Sequence, residues 1–175
     1  VTSRAGAVLL ALLALALTVG CAGSEPVAKE PPPLSSLLPS PPSPTPTSDA
    51  AIVQGVIRAY VDAVNVALST GDISDAEQLT TAKCNCRKRL REIAALYAKK
   101  GRTVGARLDV VSIQLGTMTP GAQPATLTYN SPPSTTITGA GATKSYPARS
   151  NVKLALVVIK TSGKWLLSSI TTPKS

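Results

Sequence analysis

Residues 152–171 read VKLALVVIKTSGKWLLSSIT, and the fold is decided here. In VKLALVVIK, 152–160, apolar residues recur at every second position and β-branched types dominate, which reads as a strand. TSGK at 161–164 is turn-like, and WLLSSIT follows at 165–171, so the whole stretch reads as a β-hairpin. Working outward, the same period of two predicts strands over 104–117, 124–130 and 134–138, ahead of 150–160 and 164–171. Residues 130–150, rich in Pro, Gly, Ser and Thr, are expected to form a long loop or an irregular hairpin.

Before Gly101 the period is helical. In DAAIVQGVIRAYVDAVNVAL, 49–68, Val53, Ile57, Tyr60, Val61, Val64 and Leu68 recur at steps of three and four. Ser48 or Asp49 is expected to cap this first helix, and Gly71 to stop it. Ser74 to Glu77 has the spacing of a capping box for a short second helix. RKRLREIAALYAKK, 87–100, predicts a third, with Leu90, Ile93, Ala94 and Tyr97 on its inner face and Gly101 ending it. Helices first and antiparallel strands afterwards define an α+β domain over 49–175. There is no internal repeat.

Upstream, Arg4 precedes an apolar run of 11 residues, AVLLALLALAL at 7–17. That is short for a bilayer span, which needs about 20 residues. It is the layout of an export signal over 1–20, and LTVGC at 17–21 resembles a bacterial lipobox. The resemblance implies a diacylglycerol on the Cys21 thiol and cleavage before it, placing the chain on the extracytoplasmic face of the membrane. Thr18 stands where such motifs most often carry Leu. An ordinary secretory signal and an uncleaved anchor are the alternatives. Residues 21–48 then form a tether: half of residues 31–46 are proline, so the segment cannot build a core and favours extended geometry.

Over 49–172 the domain resembles the cone-shaped nuclear transport factor 2-like superfamily, and a family of actinobacterial lipoproteins of unknown function. The residues that carry the resemblance are Tyr60, A-L-S-T-G-D at 67–72, the pair Cys84 and Cys86, Tyr97, Gly101 and the closing GKWLL at 163–167. Val61 and Asp62 stand where a Trp is often expected, and 105–106 is Gly-Ala. The resemblance implies three helices packed on a curved, mostly antiparallel four-stranded sheet, in some relatives around a pocket. It implies no known activity.

Cys84-Asn85-Cys86 is the most conspicuous constellation. In an oxidising compartment a local Cys84–Cys86 disulfide is the leading expectation, fixing the start of the third helix. A redox pair, and free or metal-linked thiols, are the alternatives.

Charge is segregated. Residues 49–82 carry one arginine against five carboxylates, whereas 83–109 carry nine basic residues against Glu92 and Asp109. The nine are Lys83, Arg87, Lys88, Arg89, Arg91, Lys99, Lys100, Arg102 and Arg107. Residues 110–175 add six basic residues and no acid, and the whole chain is +9. Such a field fits an acidic envelope component, an anionic surface or an acidic protein. Nucleic acid is not expected, because the chain is exported and lacks aromatic interleaving. The bland reading is a solvated basic face.

With no His and three Cys, neither His-dependent catalysis nor a metal site is expected, and no cofactor is implied. Carboxylates are few, so the domain is read as non-catalytic. Asp62 borders the apolar stripe of the first helix and is a candidate pocket residue with Tyr60, Tyr97 and Trp165. Two functions remain open: a binding or scaffolding domain with a filled interior, which is favoured, and a pocket for a small apolar ligand. A continuous cavity lined by Tyr60, Tyr97 or Trp165 discriminates in favour of the second. Oligomeric state is not legible.

Overall fold

A computed structural model describes residues 48–173. The expected export signal, Cys21 and the expected tether up to residue 47 lie outside the described residues. Three helices come first, α1 (Asp49–Thr70), α2 (Ser74–Gln78) and α3 (Cys86–Ala98). Seven strands follow: β1 (Arg102–Val104), β2 (Asp109–Leu115), β3 (Ala122–Ser131), β4 (Ser134–Ile137), β5 (Thr143–Tyr146), β6 (Arg149–Thr161) and β7 (Lys164–Thr171).

The expected four-stranded antiparallel sheet is present, in the order β2-β3-β6-β7. Register shifts between Val110 and Ser112, Tyr129 and Ser131, and Val157 and Val158 bend it. α1 lays Val53, Ile57, Val61 and Val64 against its inner face, where Leu127, Leu156, Val158 and Leu167 are buried. By length and composition α1 is apolar enough to cross a membrane, but here its stripe faces the core.

A second sheet, β1-β4-β5, was not expected. Two features hide it. The stretch read as one strand over 104–117 breaks at Gly105, whose φ of +74° sends β1 to one sheet and β2 to the other. Residues 130–150, expected as a long loop or an irregular hairpin, take the second form: β4, where a strand over 134–138 was expected, pairs with β5. β3 runs into β4 across Pro132-Pro133, and β5 into β6 across Pro147. Ser131 pairs with Arg149 below these prolines and Ser134 with Tyr146 above them. One long hairpin is therefore interrupted on both strands at the same level, where proline withholds its ladder hydrogen bond.

The caps differ from expectation. Neither Ser48 nor Asp49 caps α1 with its side chain; the Ser48 carbonyl accepts from Ala51 and Ile52 N–H at 3.0 and 3.3 Å. The Ser74–Glu77 capping box does not form, because Ser74 is already helical. Asp72 takes the role instead, accepting from Ser74 N–H at 2.9 Å and its hydroxyl at 2.7 Å, bonds that hold its carboxyl below the usual value. Gly71 ends α1 as expected, with φ +83°. At the end of α3 the left-handed residue is Lys100 (φ 60°), not Gly101. Gly101 is needed for space, since a Cβ there would lie 2.5 Å from Leu96 and 2.8 Å from the Ile137 carbonyl.

The link from α2 to α3 covers the free edge of β7. Thr81 N–H donates to the Leu167 carbonyl and Leu167 N–H to the Leu79 carbonyl, both at 2.9 Å. Asn85 continues the pairing with its side-chain amide, donating to the Ile170 carbonyl at 2.8 Å and accepting from Ile170 N–H at 3.0 Å. Asn65 of α1 makes the same two-bond clasp on Leu108, at 3.1 and 2.8 Å. Edge strands left open invite mispairing, and these amides close them locally.

Candidate functional site: a cavity at the bend of the long hairpin

A cavity of about 420 Å³ lies between α1, α3 and the corner where the two sheets meet. Tyr60, Val64 and Leu68 form the helical wall, and Ile93 and Cys86 close it from α3. Leu154 and Ile170 supply the sheet wall, and Leu108 the flank. The polar part comes from the corner: Tyr129, Ser131, Ser134, Thr136, Tyr146 and Thr103. Arg89, Arg107 and Arg149 complete the lining, and no carboxylate is among it. The volume falls in the ordinary range for small-molecule sites, about 300–1,000 Å³.

Tyr60 is the one residue of the four sequence candidates that lines the cavity. Burial pushes its hydroxyl up to about 12 from an ordinary 10.0. The hydroxyl has no hydrogen-bond partner among the described residues. The neutral form is favoured in the fold, so this contribution is intact below pH 10.0 and lost as pH rises towards about 12. The difference in tyrosinate absorbance between the wild type and Tyr60→Phe should rise near 12; a rise at 10 would show that Tyr60 is solvated.

Asp62, Tyr97 and Trp165 lie elsewhere. Asp62 is one residue past the buried stripe and is exposed on the outer face of α1. Tyr97 is spent on structure: its hydroxyl donates to the Leu68 carbonyl at 2.5 Å and accepts from Thr103 N–H at 3.2 Å. Trp165 is buried at the far end of α1, where its indole N–H donates to Asp49 at 3.0 Å.

The basic patch divides in the same way. Arg87 turns inward, donating to the Thr80 hydroxyl at 3.0 Å and to the carbonyls of Glu77 and Thr80 at 2.7 and 3.2 Å. It ties α3 to the end of α2, so it is no part of an open surface. Lys83, Lys88, Arg91, Lys99, Lys100 and Arg102 are exposed. Arg89 and Arg107 reach the cavity, paired on their outer sides with Glu92 and Asp109 at 3.0 Å each. Sequence reasoning missed Arg149 and Tyr129, because pairing across the bend brings them in. Among the described residues no cluster of three Cys, Asp or Glu is placed to hold a metal ion.

Cys84 and Cys86 form the expected disulfide, with Cα atoms 5.2 Å apart. Cys86 is the first residue of α3, both cysteines are buried, and Cys86 touches the cavity. The closed loop is so short that the chain-entropy gain is about 1–2 kcal/mol. The Cys84→Ser/Cys86→Ser double variant should therefore lose about that much stability in denaturant unfolding. No loss would show that the bond does not stabilise the fold.

The architecture is a small α+β domain with one bent sheet corner and a cavity that opens to solvent there. The chain belongs to a family of unknown function, DUF6318, whose pattern matches residues 38–171. No curated protein matches it. Among solved structures it is similar to an uncharacterised protein with a cystatin-like fold from Caulobacter vibrioides, 16% identical with a TM-score of 0.46, covering 71% of this chain and 89% of that one. A putative dehydratase from the NTF2-like family of Streptomyces avermitilis is 18% identical with a TM-score of 0.46, covering 72% of this chain and 95% of its own. These likenesses concern the fold alone.

Proposed function

We propose that this protein is a non-catalytic lipoprotein of the cell envelope whose domain binds a small, largely apolar ligand in the cone. The observation that supports it is the cavity itself, walled by Tyr60, Val64, Leu68, Ile93 and Leu154, where a filled core would suit a scaffold better. The non-catalytic part of the reading is supported by the sequence, which has no His and few carboxylates. The lipobox-like LTVGC at 17–21 supports anchoring through Cys21.

Two experiments test the two parts. Nile red, a neutral apolar dye, should bind and brighten, and Ala106→Trp at the lining should abolish this without lowering Tm. No binding, or binding indifferent to Ala106→Trp, overturns the pocket. Cys21→Ala should release the protein from membranes; retention overturns the lipid anchor.

A second reading is contact with an acidic envelope component through the exposed face of α3, favoured by Lys88 and Arg91 standing open beside Lys83. Adsorption to anionic vesicles that persists unchanged at high salt would defeat it.

A further inference from the structure

We infer that the ligand is a single-chain amphiphile with one oxyanionic head, a carboxylate or a phosphate monoester, held at the mouth of the cavity by Arg89, Arg107 and Arg149. The inference rests on the pocket reading above and adds the ligand's charge and shape.

Three guanidinium groups converge from separate places in the chain: α3, the β1–β2 connection and the first residue of β6. All three residues are exposed, so they mark the opening and not the floor. None of the domain's carboxylates lines the cavity. Glu92 and Asp109 engage two of the arginines, but only in part. Arg89 uses one terminal nitrogen, at 3.0 Å from Glu92, and Arg107 uses Nε, leaving the rest of each donor fork free of partners among the described residues. Both pairs are open to solvent, with Arg side chains 74% and 64% exposed, and such pairs yield readily to a better acceptor. No ion pair engages Arg149 among the described residues. A planar guanidinium presents parallel donors that match carboxylate and phosphate oxygens.

Behind this cationic rim the walls are apolar, from Val64 and Leu68 on one side to Leu154 on the other. A bare inorganic anion would leave that space unfilled. A neutral hydrocarbon would leave the guanidinium groups to water, Glu92 and Asp109 and draw nothing from them. An amphiphile satisfies both ends, with its chain inside and its head at the rim.

Isothermal titration calorimetry with dispersed octanoate, octyl phosphate and 1-octanol decides it. The anions should bind one to one and several-fold tighter than 1-octanol, since exposed ion pairs are individually weak and three of them add. The triple variant Arg89→Gln/Arg107→Gln/Arg149→Gln should bind the anions no more tightly than it binds 1-octanol. Arg149→Gln alone should remove part of the difference, which keeps the test open if the triple variant folds poorly. Equal binding of octanol and octanoate overturns this inference and leaves the pocket standing. Failure of every probe, octanol included, overturns the pocket as well. Binding to anionic vesicles without binding of dispersed octanoate or octyl phosphate overturns the inference in favour of simple surface adsorption.

Discussion

Replacing Trp165 by alanine is expected to lower the free energy of unfolding by about 3–5 kcal/mol. The indole is 6% exposed and closes the end of the core opposite the cavity. Removing it empties a large volume that the surrounding β6, β7 and α1 cannot refill. Its N–H also donates to Asp49, while Lys160 reaches the same carboxylate at 3.3 Å and stands 5.5 Å over the ring. These contacts pin the first residue of α1 to the β6–β7 hairpin. Trp165→Phe separates the two roles, keeping an aromatic body and deleting the donor, and should lose a minor part of the stability. The same variant should flatten the acid limb. The Trp165 hydrogen bond, then the Lys160 contact, hold the Asp49 carboxyl below its ordinary value of 3.8. A depressed carboxylate contributes stability above its unfolded value, which is lost as pH falls below 3.8 through the folded one. Urea unfolding at neutral pH and at about pH 3 measures both effects. Equal losses for Trp165→Phe and Trp165→Ala would mean that burial of the ring is unimportant.

Gly71→Ala is the second large effect, about 2–5 kcal/mol from backbone strain and crowding together. The residue sits at φ +83°, and a Cβ there would meet the Tyr97 Cβ at 2.4 Å. Tyr97 cannot simply yield, because its hydroxyl is fixed on the Leu68 carbonyl and Thr103. Gly121 provides the control: its φ is +75°, with nothing within 4 Å of an added Cβ. Gly121→Ala should thus show the backbone component alone, about 1–2 kcal/mol. Similar midpoints in denaturant for the two variants would refute the packing argument.

Local periodicity carried what is local. The stripe from Val53 to Leu68 gave α1 its buried face, and 152–171 gave β6 and β7 their turn. Cys84 and Cys86 are two residues apart, so their bond is also a local matter. What was missed depends on pairing between distant segments. Pro132-Pro133 and Pro147 each read as a break. Only their alignment across a hairpin turns two breaks into one bend, and a single sequence does not display that alignment. Arg149 reached the cavity by the same route, out of a stretch that read as either a long loop or an irregular hairpin. The clasps of Asn65 on Leu108 and Asn85 on Ile170 span 43 and 85 residues. A signal existed for Asn85, a polar amide fixed between two bonded cysteines, but nothing named its partner. Asp62 shows the opposite error, since one step around a helix separates a stripe from its border.

The two ends of β6 have a consequence for orientation. Asp49, where the chain from residue 48 joins the domain, is bound to Lys160 at one end of the strand. Arg149 stands at the other end, at the cavity's rim. At about 3.3 Å per residue the two points are roughly 35 Å apart along the strand. The mouth of the cavity and the point where the chain enters the domain therefore stand at opposite ends of one strand, so a bulky group fused ahead of residue 48 should leave ligand entry unobstructed.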